Sequence, residues 1–290
     1  MQYQSPAMVA RSPSNWPNGL PNEGRLPQSC HRMAVEGIQF PWRWNDGMIS
    51  PNLGVIREML ETQKTNQLRG ERFLETYLSG KVIDIGCGDD RVVPHAEPFD
   101  QQHGDANLID VLREPGSYDC VYSSHCLEHM HDPVDALARW WRLVMSSGFL
   151  IIVVPDEDLY EQGVWPSRFN SDHKATFRLG REDSWSPCSY DIVELVANLS
   201  GAKVISAEVQ DQGYDHTMKR IGAEGAWSNL LRQQMMGLYR RLSEQNLLTV
   251  PLLTELNRCF FDLGATIDQT LGPALAQIQV VAQKTGDGSE

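Results

Sequence analysis

The chain has 290 residues, 41% hydrophobic and 22% charged, which is material for one large domain or two small ones around a buried core. Its 38 acidic residues outnumber 25 basic ones for a formal net charge of −13, with no Lys/Arg run, and this argues against nucleic acid as a partner. No stretch reaches the roughly 20 apolar residues of a membrane span, the N-terminus lacks a secretory pattern, and six cysteines without a C-x-x-C pair suit reduced thiols.

A cytoplasmic protein with no membrane partner is therefore expected. Residues 1–50 read as a flexible arm, because Met1 to Arg32 are rich in Pro, Asn, Ser and Gly and show no hydrophobic period. One domain is expected over 51–285, followed by a short tail, 286–290. From Leu53 to Leu78 apolar residues recur at helical spacing, predicting one long or two short helices stopped by Gly80.

Strand and helix then alternate. "KVIDIG" predicts a buried strand running into a glycine turn, and "YDCVYSS" predicts a second strand. Asp132-Pro133 supplies a capping residue and a first-turn proline for the helix "VDALARWWRLVM", which Ser147-Gly148 should close. "FLIIVVP" follows as a strand buried on both faces. Asp156 to Ser184 reads as a long loop, and loops of that length inside a domain are usually functional. Ser186-Pro187 opens a predicted helix through Leu199, and "AKVISAEVQ" a strand. Residues 214–271 read as a mainly helical insertion with a break at Thr249-Val250-Pro251, before a last strand, "ALAQIQVVAQK". Such alternation predicts an α/β fold with a mostly parallel sheet.

"VIDIGCGDD", Val82 to Asp90, carries the main chemical signal. A strand ending in Gly-x-Gly exposes backbone N–H groups with no Cβ in the way. The dinucleotide fingerprint needs a third glycine opening a helix; here Arg91-Val92-Val93-Pro94 follows, so a dehydrogenase is not expected. With an acid two residues before the first glycine, the stretch resembles motif I of the class I S-adenosylmethionine-dependent methyltransferases. "HGDANLID", "SYDCVYSSHCLEHMHDP" and "ALARWWRLVMSSGFLIIVVPDED" resemble later segments of that family, in order, and the similarity is greatest to its small-molecule, type 11 branch.

The resemblance implies a Rossmann-like sheet, mostly parallel with an antiparallel last strand. It implies S-adenosylmethionine as cofactor and S-adenosylhomocysteine as product. Asp84 and Asp119 stand closer in sequence than in most of the family, so the front crossovers are expected to be shortened. By resemblance, Gly86, Cys87 and Gly88 would pass under the methionine part of the cofactor, with Asp84 ordering the turn. Asp100 would accept from the ribose hydroxyls, with Asp105 the alternative ribose acid. Asp105 and Ala106 would meet the adenine, and Ser123 and Ser124 lie where α/β folds place ligands.

His125-Cys126-Leu127-Glu128-His129 spells H-x-x-E-H, a zinc-hydrolase signature when it lies on a long helix. Asp132-Pro133 leaves no room for that helix, so a zinc hydrolase is the weaker alternative, and no metal site is predicted. His129 reads as a local packing or capping residue. His125, directly behind a strand, is a candidate general base for an oxygen nucleophile. In the loop, Asp172 is placed to orient His173 as a second candidate base. Clustered Asp156, Asp158 and Asp172 suit Mg²⁺, which is allowed for but not predicted.

The function expected is methyl transfer to a small-molecule acceptor such as a sugar or natural product. O-methylation by SN2 attack is favoured, with His assistance or positioning alone. The helical insertion would act as a lid. A catalytically silent, cofactor-binding scaffold is the other alternative.

Overall fold

The structure, a computed structural model, describes residues 61–222 and 225–285. The chain divides into two units, 1–45 and 46–290, and all described residues belong to the second. The predicted arm, the tail and the start of the first predicted helical run lie outside the described residues.

Two short helices come first, α1 (Glu61–Asn66) and α2 (Glu71–Tyr77), broken at Gly70. A six-stranded sheet follows. Its strands are β1 (Val82–Ile85), β2 (Glu97–Phe99), β3 (Tyr118–Ser124), β4 (Val144–Pro155), β7 (Ala202–Gln210) and β8 (Gln277–Lys284), in the order β2-β1-β3-β4-β8-β7. β2, β1, β3 and β4 run parallel, and β8 is antiparallel to both β4 and β7. The sheet is thus mostly parallel with an antiparallel last strand, as expected. β1, most of β3, and β4 from Leu150 onward are continuously buried because both faces are covered.

The front crossovers are short. No helix lies between β1 and β2, and only 3₁₀ turns and the one-turn α3 (Ile109–Leu112) precede β3. One sheet face is instead packed by Leu78 and by Val92, Val93 and Ala96, with Phe73, Leu74 and Tyr77 of α2 against them. The other face carries α4 (Pro133–Leu143), whose N-cap Asp132 accepts from Val134 and Asp135 N–H at 2.9 and 3.1 Å. Trp140 of α4 is fully buried and donates its indole N–H to the Ala106 carbonyl at 2.9 Å. That bond ties the helix to the segment 105–108.

Three predicted boundaries differ. α4 ends at Leu143, where Val144 already pairs with Tyr118. The chain then bulges through Ser147, at φ 65°, before Phe149 resumes pairing with Cys120. The predicted long loop contains a π turn (Glu157–Glu161) and β5 (Thr176–Arg178), which pairs in parallel with β6 (Ser189–Asp191). The helix expected from Ser186 therefore begins only at Ile192, as α5 (Ile192–Ala197). Asp191 caps it by accepting from Val193 and Glu194 N–H. The insertion folds into α6 (Ala226–Glu244) and α7 (Val250–Asp262), which share their own apolar cluster around Leu231, Met235, Tyr239 and Leu256. Among the described residues no helix is long and apolar enough to cross a membrane.

Candidate functional site

β1 is flanked by β2 on one side and β3 on the other, so the chain leaves the sheet centre in one direction and returns in the other. Crevices form at the carboxyl ends of strands at such a switch. Here a cavity of about 640 Å³ opens there, lined by the residues just past β1 (Gly86), β2 (Asp100) and β3 (His125). Its size suits a small-molecule ligand. Among the described residues, none of 214–271 lines it.

One end is built from backbone and acids. Gly86 has φ 81°, and a Cβ there would stand 2.5 Å from Cys126 Cβ, so only glycine fits. Asp84 lies beneath the turn, 1% exposed, and does not line the cavity. Its Oδ2 accepts from Val92 N–H at 2.6 Å and fastens the far end of the glycine loop. Burial pushes its carboxyl up to about 7, against the lowering effects of the Val92 bond and Arg69. Asp100 accepts from Gly88 N–H through Oδ2 at 2.8 Å and from Gln101 N–H through Oδ1 at 2.6 Å, closing the glycine turn onto β2. Asp105 caps a 3₁₀ turn; hydrogen bonds from the Asn107 side chain and backbone hold its carboxyl below the usual range. Asp100, Asp105 and Ala106 all line the cavity, as does Gly104, where a Cβ would collide with Leu112 Cδ1.

Three predicted cofactor residues take other places. Cys87 and Ser123 are buried, with Ser123 Oγ donating to Ile85 O at 3.0 Å, and Ser124 is likewise turned away; none lines the cavity. Gly88 lines a smaller adjoining recess with Asp89, Asp100 and Gln101.

The other end carries His125, His129, Met130, Asp172 and Lys174. The H-x-x-E-H stretch is no α-helix: His125 sits at φ 51° and residues 127–129 form a single 3₁₀ turn. His125 Nε2 lies 2.9 Å from Gln277 Oε1, and its Nδ1 lies 3.6 Å from Glu128 Oε1. Burial opposes its charge, but the Glu128 carboxylate more than offsets that, helped by Glu61 and Gln277, and raises the imidazole to about 9. The Glu128 carboxylate thus favours the charged imidazole, where the sequence suggested a near-neutral base.

The predicted dyad is also corrected. Asp172 does not orient His173; it is exposed, and its Oδ2 lies 3.0 Å from His129 Nδ1 while Oδ1 pairs with Lys174 at 3.2 Å. His173 is buried and pairs through Nδ1 with Glu161 Oε1 at 2.7 Å. His129, expected only to pack or cap, lines the cavity. Asp156, Asp158 and Asp172 do not gather as a Mg²⁺ cage: Asp156 caps the π turn, and Asp158 bonds Arg181 and Trp185.

Glu161 and Gln277 had no predicted role, and Glu128 figured only in the zinc-hydrolase alternative. Each becomes meaningful only through a partner distant in sequence. Backbone bonds from Lys174 and Ala175 N–H to the Glu128 carbonyl, at 2.7 and 3.3 Å, bring the loop to the 3₁₀ turn.

Residues 61–183 match the family model described as a methyltransferase domain. No curated protein matches the chain. Among solved structures it is similar to a SAM-dependent methyltransferase from Archaeoglobus fulgidus, at 13% identity and TM-score 0.38, covering 76% of this chain and 92% of that one. It is also similar to one from Thermotoga maritima, at 14% and 0.37, covering 77% and 87%. A candidate sarcosine dimethylglycine methyltransferase from Galdieria sulphuraria gives 12% and 0.34; 67% of this chain is covered, and the chain spans 61% of that relative's length.

Proposed function

We propose that this chain, whose residues 61–183 match a methyltransferase domain, is a class I S-adenosylmethionine-dependent methyltransferase that methylates a small molecule at a hydroxyl group. The observation that carries the reading is one cavity with a glycine turn and two acids at one end and imidazoles at the other.

The cofactor end fits its ligand on the chain's own geometry. A side chain at position 86 would collide with Cys126, whereas a Cβ built at Gly88 would meet nothing within 4 Å, so that side of the backbone is open to close approach. Asp100 and Asp105 are placed to accept from ribose or adenine donors. When bound, S-adenosylmethionine supplies an electrophilic methyl group on a sulfonium.

At the other end His129 and Asp172 offer polar contacts that orient an oxygen nucleophile. His125, with Nε2 at 2.9 Å from Gln277 Oε1, lines the cavity beside them. Positioning of acceptor against methyl at near-attack distance then supplies much of the rate, an effect worth about 7–11 kcal/mol in well-oriented systems. The charge of −13 disfavours a polyanionic acceptor.

The test is calorimetric titration of the full chain with S-adenosylmethionine and S-adenosylhomocysteine, followed by mass spectrometry of products from hydroxylated and amine small molecules. Saturable binding that Gly86→Val abolishes, with methyl found on oxygen, is expected. Products methylated only on nitrogen would overturn the hydroxyl assignment.

A further inference from the structure

We propose that Glu128, His129 and His173 form a binding site for a divalent first-row transition-metal cation, of which zinc is the simplest probe, in the wall of the cavity. Glu128 Oε1 stands 4.0 Å from His129 Nε2 and 3.9 Å from His173 Nε2, and one donor atom from each residue lies within 4.8 Å of the others. These separations are too long for hydrogen bonds. Donors at 2.0–2.2 Å from a tetrahedral ion stand roughly 3.4 Å apart, so a slight contraction would close the set around one cation.

The second observation concerns what surrounds the donors. Glu128 is 1% exposed, and among the described residues neither of its carboxylate oxygens has a partner at hydrogen-bond distance; the imidazole of His125 stands off at 3.6 Å from Oε1. A buried carboxylate so loosely paired is costly, and a shared cation lowers the cost. Both imidazoles, moreover, are held from behind by a carboxylate: Asp172 Oδ2 at His129 Nδ1, 3.0 Å, and Glu161 Oε1 at His173 Nδ1, 2.7 Å. Each contact takes the Nδ1 proton and leaves the Nε2 lone pair facing Glu128. Paired carboxylate–imidazole–metal arrangements orient ligating histidines in the same way. The rings meet edge to face, with centroids 4.9 Å apart, which keeps both nitrogens on one side.

Two imidazoles and a carboxylate suit zinc, iron(II) or manganese(II). The all-oxygen preference of Mg²⁺ and Ca²⁺ and the thiolate preference of Cu(I) are not met. The set also differs from the helical H-x-x-E-H site: Glu128 is a ligand, His173 comes from a distant loop, and His125 stays with Gln277. Three protein donors leave a position for water or for an oxygen of the acceptor. That last assignment rests on the methyl-transfer reading; metal binding does not.

The full chain, stripped with chelator, is titrated with zinc chloride against a chromophoric competitor. Cobalt(II) absorption serves as a geometric readout. One equivalent per chain is expected, with cobalt bands of a four- or five-coordinate site. Glu128→Gln and His173→Ala should weaken zinc at least 100-fold. Asp172→Asn, an exposed change that spares the fold, should weaken it about 10- to 100-fold. Absence of stoichiometric zinc in the wild type, or unchanged affinity in Asp172→Asn together with any folded ligand variant, overturns the site. A parallel titration with S-adenosylmethionine separates the claims: zinc bound without cofactor sinks the proposed function alone, and cofactor bound without zinc sinks the metal site alone.

Discussion

Asp172 turns its carboxylate toward His129, with Oδ2 3.0 Å from Nδ1, and leaves its chain neighbour His173 to Glu161. Local order in sequence thus misassigns the partners, because consecutive residues in an extended loop point in different directions. Asp172 is exposed, so Asp172→Asn should change stability by less than about 0.5 kcal/mol. Turnover should nevertheless fall about tenfold, with cofactor affinity unchanged, because the His129 imidazole loses its orientation. A melting curve and a calorimetric titration beside the rate measurement check all three parts.

Gly86 and Gly88 both have positive φ, but only the first is crowded. Gly86→Ala should cost about 1–3 kcal/mol from backbone strain, with the Cys126 collision added. Gly88→Ala should remain near the low end of that range. Urea unfolding of both variants decides this, and equal losses would show that crowding at Cys126 is not what restricts position 86.

Asp84 carries a pH signature. Its carboxyl is raised in the folded protein to about 7 from 3.8, chiefly by burial. The folded state therefore holds the proton more tightly than the unfolded chain. This contribution is fully present below about pH 4 and is lost as pH climbs through 7, by about 4 kcal/mol at 1.36 kcal/mol per unit. Asp84→Asn, which still accepts from Val92 N–H, should gain on the wild type steadily from pH 5 to 8. Parallel stability–pH curves for the two proteins would rule out the effect.

Trp140→Ala should cost about 3–5 kcal/mol, the usual range for emptying a large aromatic site. Trp140→Phe keeps most of the packing but loses the bond to the Ala106 carbonyl. It should cost about 1–2 kcal/mol and still weaken S-adenosylmethionine binding, because the Asp105–Ala106 wall is no longer pinned to α4. Undiminished cofactor affinity in a folded Trp140→Phe protein would disconnect the helix from the wall.

The sheet was legible because its signals are local. "VIDIG", "YDCVYSS" and "FLIIVVP" are apolar runs of strand length, and Asp132-Pro133 announces α4 through its own capping bonds. The shortened front was legible from the tight spacing of Asp84 and Asp119. The Ser147 bulge and the late start of α5 were not, since each depends on pairing with a strand elsewhere, Tyr118 for the one and β5 for the other. At the cavity, Gly86 and Asp100 could be placed from the strands they follow. Ser123 and Ser124 still belong to β3, where both faces are buried, and the cavity begins only at His125. Glu161 and Gln277 were invisible: nothing around either hints at a histidine across the fold.

β8 lies between β4 and β7, although it follows both in the chain. A ribosome therefore releases the outer strand of this half-sheet before the one that joins it to the rest. Until Gln277–Lys284 emerges, β4 presents an open edge that is apolar from Phe149 to Pro155, and β7 has no neighbour. Gln277 also bonds Thr65, Gln210 and the His125 ring, and Gln279 receives Arg69. Arrival of this one segment thus closes the sheet and seats the imidazole in a single event, so a nascent chain halted before it should be a strong chaperone client and carry an unassembled site.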